Sequence, residues 1–320
     1  FFGALIRFLQ QKKPRYTLIT LAILLLGLGG YEVYANRLQP QMPIVIAGKL
    51  GAEPDILINM YQQLIEAEDA EVQVTLKPNF GKTSFLFSAL QHGQVDIYPE
   101  FSGTVLESLV KLPENQQNKK RNQEETYQDA AMLLKEQFDM AFLPPMAYEN
   151  TYALAMKKTF AEANGITKIS DLAKIQSEVK AGFTLEFIDR SDGYRGIKEN
   201  YGLDFPSVQS MEPALRYQAI NNGDVNLIDA YSTDSEIKQY DLVTLADDRG
   251  LFPAYQGAPL MTEAFKRKHP QVVEALSKLA GKITEAEMVA LNYQVNVEKK
   301  EPADVARNFL VQAGLLKEGR

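Results

Sequence analysis

The sequence contains no cysteine and no tryptophan, and only two of its 320 residues are histidines. Without cysteine the chain has no disulfide framework, no thiol nucleophile and no iron–sulfur cluster. His92 and His269 are the only imidazoles available for metal binding or general-base catalysis, and both lie in short turn-like stretches. We therefore predict no metal site, no cofactor and no enzymatic activity.

Positive charge is also in short supply. The chain has 34 Lys and Arg residues against 41 Asp and Glu residues, for a formal net charge of -7. Proteins that bind the phosphate backbone generically need a positive surface field, so nucleic acid is excluded as an expected partner. The 45% hydrophobic and 23% charged residues are typical of a globular protein, and the length suits two domain-sized units.

One long uncharged run is present near the start of the chain. Residues 16–31 carry no charge and follow a basic cluster. Sixteen helical residues rise about 24 Å, which approaches the about 30 Å of a bilayer core. We predict a cytoplasmic segment at 1–15, a transmembrane helix at 16–35 and a linker at 36–42, with residues 36–320 outside the cytoplasm.

Three interpretations of this apolar segment stay open. A secretory signal fits the basic region, the apolar core and the small-residue pattern of Val33-Tyr34-Ala35. A single uncleaved anchor is the second interpretation. The last spanning helix of a longer membrane protein is the third, and it is favoured because the sequence opens on Phe1 rather than Met.

Short β-rich runs alternate with helical patterns after the linker. Residues 43–99 read in the order strand, helix, strand, helix, strand, which is typical of a parallel sheet. A second block begins with the strand pattern at 151–158. In that block the run FTLEFI at 183–188 predicts a strand, and residues 192–201 predict a helix.

These patterns predict an α/β fold with two lobes. We expect mostly parallel sheets with helices on both faces. Lobe 1 is predicted to comprise 43–148 and 250–320, and lobe 2 to comprise 149–249. A cleft between two such lobes is a usual place for a small ligand.

The string Gly81-Lys82-Thr83-Ser84 resembles the end of a phosphate-binding loop. Leu76 occupies the position of the first glycine that such a loop requires, so a nucleotide site is excluded. Thr83 or Ser84 either caps the following helix or offers a polar group to a ligand.

The most informative string is DIYPEFSGT at 96–104, where small residues follow two aromatic residues at the end of a predicted strand. It is similar to the YPEYTGT string of the osmoprotectant-type substrate-binding domains of ABC importers, whose members bind glycine betaine, choline and carnitine. The resemblance covers nearly all of 43–320. It recurs in order at NTYAL (150–154), SDL (170–172), EF..R.DG (186–193), YSTD (231–234) and DD...FP.Y (247–255).

The resemblance implies the two-lobed periplasmic binding protein fold of type II, in an extracytoplasmic domain that captures a trimethylammonium compound. The implied partners are an ABC permease, expected in the same polypeptide and hence at the membrane, and a cytoplasmic ATPase subunit. A quaternary ammonium has no N–H to donate, so aromatic faces and a nearby carboxylate must hold it. The aromatic candidates, ranked by their match to family positions, are Phe101, Tyr231, Tyr194 and Tyr98.

The remaining candidates carry polar or charged groups. Arg190 is expected to clamp a ligand carboxylate through two parallel hydrogen bonds, or else to form a structural ion pair with Asp189 or Asp192. Glu53 or Asp229 could supply the anion for the ammonium group. Hydroxyl groups are offered by Ser102, Thr104, Thr83 and Thr233.

Two departures from the usual family strings narrow the expected ligand. Gly51-Ala52-Glu53 stands where the family commonly has Phe-Thr-Glu or Phe-Ser-Glu, and Phe101 replaces the usual tyrosine. With these features the chain looks most like the branch that binds ergothioneine, the trimethylated betaine of 2-thiohistidine. Residue spacing does not separate ergothioneine from glycine betaine, carnitine or choline, which stay open as alternatives.

Overall fold

The computed structural model of the protein describes residues 43–114 and 121–318. The predicted cytoplasmic segment, transmembrane helix and linker at 1–42 lie outside these residues. Within the two described ranges, no helix combines the length and the apolar character needed to span a membrane.

The described residues form two five-stranded sheets of the same topology. The strand order is β2-β1-β3-β10-β4 in the first sheet and β7-β6-β8-β5-β9 in the second. The strands are β1 Ile44–Ala47, β2 Val74–Lys77, β3 Ile97–Phe101, β4 Met140–Phe142, β5 Tyr152–Lys157, β6 Lys180–Thr184, β7 Ser207–Met211, β8 Leu227–Tyr231, β9 Leu242–Leu245 and β10 Gly257–Thr262.

Each sheet is mixed. In the first sheet β1 pairs in parallel with β2 and β3, whereas β10 runs antiparallel to both of its neighbours. In the second sheet β5 is the antiparallel strand. Four strands in each sheet therefore share one direction, as the alternating strand and helix patterns predicted, and the fifth runs against them. We call the parts built on the first and second sheets lobe 1 and lobe 2.

Helices cover the sheets and connect their strands. The α-helices are α1 Ala52–Glu68, α2 Thr83–Gln91, α3 Ser102–Thr104, α4 Gln123–Phe138, α5 Lys158–Asn164, α6 Leu185–Asp189, α7 Tyr194–Gly196, α8 Pro213–Asn222, α9 Glu236–Gln239, α10 Glu263–Lys268, α11 Pro270–Ser277, α12 Glu285–Asn296 and α13 Pro302–Gln312. Two π-helical turns, Val105–Leu109 and Ile197–Tyr201, and a 3-10 helix at Ile169–Glu178 complete the described elements.

The chain crosses between the lobes twice. It leaves the first sheet after β4 to enter the second as β5, and it returns after β9 to enter the first as β10. The two crossings lead into β5 and β10, the antiparallel strands. Each of these strands lies between two others and not at the edge of its sheet. One continuous apolar core runs through both lobes and includes Phe101, Tyr152 and Tyr255 near the crossings.

The strand predicted at 183–188 is wrong in its second half. The structure ends β6 at Thr184 and begins α6 at Leu185. The Oγ1 of Thr184 accepts a hydrogen bond from the backbone N–H of Phe187 at 3.3 Å, which caps the new helix. The helix predicted at 192–201 is divided into α7 and a π-helical turn. A Cβ atom at Gly193, just before α7, would lie 2.1 Å from the carbonyl oxygen of Phe187, so only glycine fits this turn.

Asp55, in the first turn of α1, gives a testable pH dependence. Its carboxylate accepts a long hydrogen bond of 3.4 Å from Asn79, while burial raises its pKa from 3.8 to about 6. The folded protein therefore holds this proton more tightly than the unfolded chain does. The stabilisation is fully present below about pH 4 and is lost as the pH rises towards 6.

Between pH 4 and pH 6 we therefore expect the free energy of unfolding of the wild-type chain to fall by about 1 kcal/mol relative to that of Asp55→Asn. The value is smaller than the full pKa shift implies because the carboxylate is partly solvated. Urea unfolding at several pH values measures the difference. The exposed Asp224→Asn serves as the control. A wild-type chain that gained stability relative to Asp55→Asn over this interval would show that the sign is wrong.

Candidate ligand-binding site

A cleft with a volume of about 490 Å³ is lined by residues of both lobes and of the two crossing segments. Its position at the crossings means that one bound molecule can contact both lobes at once. Residues that matter below are Lys49, Glu53, Phe101 and Thr104 from lobe 1, Glu186, Arg216 and Tyr231 from lobe 2, and Asn150, Tyr152 and Tyr255 from the crossings.

Four aromatic rings of the cleft form what we call the aromatic box: Phe101, Tyr152, Tyr231 and Tyr255. The ring centroid of Tyr152 lies 5.1 Å from that of Tyr231 and 5.9 Å from that of Tyr255, with the second pair at 90°. Aromatic faces carry negative electrostatic potential, so rings grouped in this way attract a cation.

The sheet register brings these rings together. Tyr152 begins β5 and is paired directly with Tyr231, which ends β8; the two strands run antiparallel. Phe101 ends β3 and is paired with Gly257 of β10, two residues after Tyr255. The box thus lies where strand ends from both sheets meet the crossing segments.

The charged residues that line the cleft favour a ligand that carries positive charge. Acidic residues outnumber basic ones by five to three. An excess of carboxylates raises the local concentration of cations and disfavours simple anions. The acidic residues are Glu53, Glu186, Glu212, Asp234 and Glu236, and the basic residues are Lys49, Lys82 and Arg216.

Glu186 joins the two lobes at the cleft. The hydroxyl of Thr83, in lobe 1, donates a hydrogen bond of 2.7 Å to its Oε1. Burial by itself would raise the pKa of Glu186, but the positive charges of Lys49 and Arg190 outweigh burial and lower it. Glu186 is therefore a carboxylate that stays ionised, with 23% of its side chain exposed in the cleft.

Glu53 is fully enclosed by hydrogen-bond donors. Its Oε1 accepts from the hydroxyl of Tyr148 at 2.9 Å and from the amide of Asn150 at 2.7 Å. Its Oε2 accepts from Thr233 at 2.7 Å and from Asn292 at 3.2 Å. Burial raises the pKa of Glu53, and these four hydrogen bonds oppose that rise. With both oxygens occupied, Glu53 ties α1 to lobe 2 and to α12.

Arg190 forms an ion pair with Asp192, which is one of the two roles that the sequence predicted for it. Its Nε donates to Asp192 Oδ1 at 2.6 Å, and its Nη2 contacts the other oxygen of that carboxylate. The guanidinium carbon lies 5.5 Å from the ring centroid of Tyr152. Arg190 does not line the cleft. It supports Tyr152 from the side, and its role as a carboxylate clamp stays a prediction.

Four other predicted residues are also held away from the cleft. Tyr98 is buried in the lobe 1 core, and Tyr194 stacks on Phe205 and donates a hydrogen bond of 3.0 Å to Asp204. The hydroxyl of Ser102 donates to the backbone oxygen of Ala254 at 3.2 Å. The buried carboxylate of Asp229 accepts from Arg216 at 2.9 Å and from the Thr184 hydroxyl at 2.8 Å.

Of the predicted site residues, Phe101, Tyr231, Thr104 and Glu53 line the cleft. Thr83 and Thr233 lie beside it and donate to Glu186 and Glu53 instead. Sequence reasoning missed Tyr152 and Tyr255 as box residues although both lie inside the strings that carried the resemblance. Their signal was available, because each is the aromatic residue of a predicted crossing segment. Lys49, Glu186 and Arg216 were also missed.

Polar contacts join the lobes next to the cleft. Besides the hydrogen bond from Thr83 to Glu186, the Nζ of Lys82 lies 3.6 Å from Asp189, and Ser191 donates to Glu107 at 3.3 Å. All three lobe 2 partners belong to the segment 186–191. The structure therefore corresponds to a closed arrangement of the lobes.

A two-lobed α/β fold with a ligand-sized cleft at its crossing segments is the architecture of a solute-binding domain. In residues 43–114 and 121–318 no group of three or more His, Asp or Glu side chains could hold a metal ion. The chain belongs to the family described as the substrate binding domain of ABC-type glycine betaine transport systems, whose model matches residues 42–312.

Similar proteins agree with this family. The chain is 31% identical over 309 residues to the ergothioneine transport permease/ergothioneine binding protein EgtU of Helicobacter pylori, a match that covers 96% of this chain and 54% of that protein. The chain thus spans about half of the length of that relative. It is also 31% identical over 291 residues to the carnitine transport binding protein OpuCC of Listeria monocytogenes, covering 89% of this chain and 88% of OpuCC.

A crystal structure of a glycine betaine/carnitine/choline ABC transporter protein matches the fold with a TM-score of 0.67 and 32% sequence identity. The match covers 85% of this chain and 99% of that one. The two-lobed periplasmic binding protein fold predicted from the sequence is confirmed, with the sheets mixed rather than purely parallel.

Proposed function

We propose that this chain is the extracytoplasmic solute-binding domain of an ABC importer and that it captures a trimethylammonium zwitterion, with ergothioneine as the first candidate. The aromatic box around Tyr152 is the observation that carries the proposal. Glycine betaine, carnitine and choline are the alternative ligands.

The energetics of the box suit such a ligand. A cation over an aromatic ring gains about 0.5 to 2 kcal/mol, with the upper value reached when water is excluded. Four rings and the carboxylate of Glu186 can therefore supply a large part of the about 8 kcal/mol that a micromolar dissociation constant requires. No group of the box is placed to act on the ligand covalently, so binding and release are its proposed task.

Two observations support ergothioneine over the smaller betaines. The Helicobacter pylori relative, which matches 96% of this chain, is named for ergothioneine. The cleft of about 490 Å³ also extends beyond the box, to residues of α8 and α12. The Listeria relative, named for carnitine at the same 31% identity, supports the alternative.

Ligand capture is proposed to close the two lobes, with lobe 1 comprising 43–148 and 250–320 and lobe 2 comprising 149–249. A ligand favours closure by as much as it binds the closed state better than the open one. The partners proposed are a permease carried on the same polypeptide, as the name of the Helicobacter relative suggests for that protein, and a cytoplasmic ATPase subunit. Residues 36–320 are then outside the cytoplasm and the chain is held at the membrane.

Lys49 is proposed to meet the ligand carboxylate, because it lines the cleft and its Nζ lies 5.5 Å from the ring centroid of Phe101. Its Nζ donates to Glu100 at 2.6 Å, and an ammonium group has two further N–H groups to offer. Charge-assisted hydrogen bonds of this kind contribute about 1.5 to 3 kcal/mol. Lys49→Met should therefore weaken glycine betaine about tenfold more than choline, which has no carboxylate. Calorimetric titration of both ligands gives the ratio.

Arg190→Met is the matched comparison, since it removes the other candidate for the carboxylate clamp. We expect it to weaken glycine betaine and choline by similar factors, because Arg190 is paired with Asp192 and supports Tyr152. Selective loss of glycine betaine in Arg190→Met, with none in Lys49→Met, would instead assign the clamp to Arg190.

The identity of the ligand is tested by calorimetry of the purified chain against ergothioneine, glycine betaine, carnitine, choline and proline betaine. The proposal predicts the tightest binding for ergothioneine. Tighter binding of carnitine or choline would select the alternative, and no binding of any of the five compounds would reject the proposed function.

A further inference from the structure

A second cavity, with a volume of about 560 Å³, adjoins the ligand cleft at the crossing segments. We call it the hinge cavity. Tyr152 and Asp234 line both spaces, so only a thin wall of side chains lies between them. The other walls of the hinge cavity include Ile237 and Thr244 from lobe 2 and Val289 from α12. The proposed capture of a ligand in the cleft makes no use of this space.

One face of α12 borders both spaces. Glu285 and Val289 line the hinge cavity, whereas Asn292 and Asn296 line the cleft. These residues follow one another at intervals of four, three and four positions, which places all of them on one side of a helix. The helix packs on α1, which in turn packs on the first sheet. We therefore treat α12 as a part of lobe 1 that turns one face to lobe 2.

Lobe 2 is fixed to this face at a point between the two spaces. The Nδ2 of Asn292 donates to the backbone oxygen of Thr233 at 3.1 Å and to Glu53 at 3.2 Å. The hydroxyl of Thr233 donates to the same oxygen of Glu53 at 2.7 Å, and all three side chains are buried. Along the helix axis, Val289 lies about 4.5 Å to one side of Asn292 and Asn296 lies about 6 Å to the other.

We infer that α12 acts as a lever about Asn292, so that the hinge cavity controls how far the cleft opens. When lobe 2 moves away from Asn296 to open the cleft, it moves towards Val289 and reduces the hinge cavity. A group that fills the hinge cavity therefore opposes opening and favours the closed lobes. The apparent affinity of a ligand for the closed state is proportional to the closed fraction. Filling the cavity thus tightens the binding of every cleft ligand by one common factor.

Thr244→Phe fills the hinge cavity from the side of lobe 2. Thr244 is exposed on β9, an edge strand of the second sheet, where an aromatic side chain is well tolerated. Calorimetry should show about fivefold tighter binding of both glycine betaine and choline. Val289→Phe fills the cavity from α12 and should act in the same direction. Thr75→Phe is the matched control, since Thr75 is exposed on the edge strand β2 and lines neither space.

A second measurement needs no ligand. The sequence has no cysteine, so spin labels attach only at the introduced residues of a Ser84→Cys/Leu215→Cys chain, one exposed position in each lobe. In the ligand-free chain, Thr244→Phe should raise the population with the shorter distance between the labels. Thr75→Phe should leave the distance distribution unchanged.

The outcomes separate the lever from the proposed function, on which only the calorimetric part depends. Unchanged or weaker binding in both folded cavity variants would overturn the lever, as would a gain confined to one of the two ligands. If the labels report closure but neither ligand binds, the lever stands and the proposed function fails. If both ligands bind and the cavity variants alter neither affinity nor distance, the proposed function stands and the lever fails.

Discussion

Tyr152→Leu should bind glycine betaine about thirtyfold more weakly than the wild-type chain. Tyr152 is the ring that contacts both of the other tyrosines of the box, with centroids at 5.1 and 5.9 Å. A desolvated cation over such a ring gains about 2 kcal/mol, which corresponds to about thirtyfold in the dissociation constant. Leucine keeps an apolar side chain but offers no negative face.

Two further variants separate this effect from a loss of packing. Tyr152→Phe retains the ring and should keep binding within about threefold of the wild type, because the ring face rather than the hydroxyl attracts the cation. Tyr293→Leu removes a tyrosine that is 41% exposed on α12, and it should leave binding unchanged. Calorimetric titration measures the binding of each variant, and thermal unfolding reports whether it is folded.

Wild-type affinity in a folded Tyr152→Leu variant would mean that the ring does not hold the ligand. Replacing Tyr152 by leucine has a second effect, for which Tyr152→Phe is the control. The Arg190 guanidinium lies over the Tyr152 ring, so leucine also removes a partner of that charge. Because phenylalanine keeps both the ring and this contact, a loss that appears only with leucine excludes the hydroxyl group as its cause and assigns the loss to the aromatic ring.

Asp229→Ala should lower the free energy of unfolding by about 3 to 5 kcal/mol. The side chain of Arg216 is 1% exposed, and its charge is paired with Asp229 at 2.9 Å and with Asp234 at 2.6 Å. Without Asp229 the buried guanidinium keeps only Asp234, and Nη1 of Arg216 loses its hydrogen-bond acceptor; removing a partner from a buried ion-pair network costs about this much. Asp229 also accepts hydrogen bonds from the backbone and hydroxyl of Thr184, both at 2.8 Å, and these are lost as well.

For a protein of this size a loss of this magnitude lowers the melting temperature by about 5 to 9 °C. Urea unfolding gives the free energy directly. Asp224→Ala is the control, because Asp224 is exposed and its side chain has no hydrogen bond or ion pair to any of the described residues; it should change stability by less than about 0.5 kcal/mol. A change below 1 kcal/mol for Asp229→Ala would show that the Arg216 charge does not need this carboxylate.

The same network bears on the binding site. The guanidinium carbon of Arg216 lies 4.9 Å from the ring centroid of Tyr231 and 5.2 Å from that of Tyr217. The backbone N–H of Tyr231 donates to Asp234 at 2.8 Å. The buried charges therefore fix the position of one ring of the box, and a folded Asp229→Ala variant is expected to bind glycine betaine more weakly than the Asp224→Ala control.

The fold could be predicted well from the sequence because local periodicity determines it. The βαβαβ order at 43–99 follows from alternating apolar residues and helical stripes, and the structure has β1, α1, β2, α2 and β3 there. The prediction failed at 185–188, where apolar residues continue the strand pattern. The hydrogen bond from the N–H of Phe187 to Thr184 is a capping contact that periodicity does not register.

The site could be predicted only in part because its residues are distant in sequence. Tyr152, Tyr231 and Tyr255 become neighbours only through the pairing of β5 with β8 and the return of the chain into β10. Family strings pointed to Phe101 and Tyr231, and both line the cleft. Tyr98 and Tyr194 belong to the same strings, but alternation along a strand and local stacking turn them into the lobe cores.

The roles of the charged residues were harder to predict from the sequence than those of the aromatic residues. Whether Arg190 faces a ligand or pairs with Asp192 depends on the turn at 191–193, where Gly193 allows a close approach that no other residue permits. Lys49 had no distinguishing pattern in the sequence, and Glu186 was noted only as part of the EF..R.DG string. The closed arrangement of the lobes brings the two residues into one cleft.

The most direct test of the aromatic box compares glycine betaine with 3,3-dimethylbutanoate, in which a carbon atom replaces the charged nitrogen. The two compounds have the same shape and the same carboxylate, and they differ in the positive charge that the rings and Glu186 attract. We expect calorimetry to show binding of glycine betaine and at least hundredfold weaker binding of 3,3-dimethylbutanoate, whose tert-butyl group carries no charge. Equal affinities would contradict recognition of a methylated cation in this cleft.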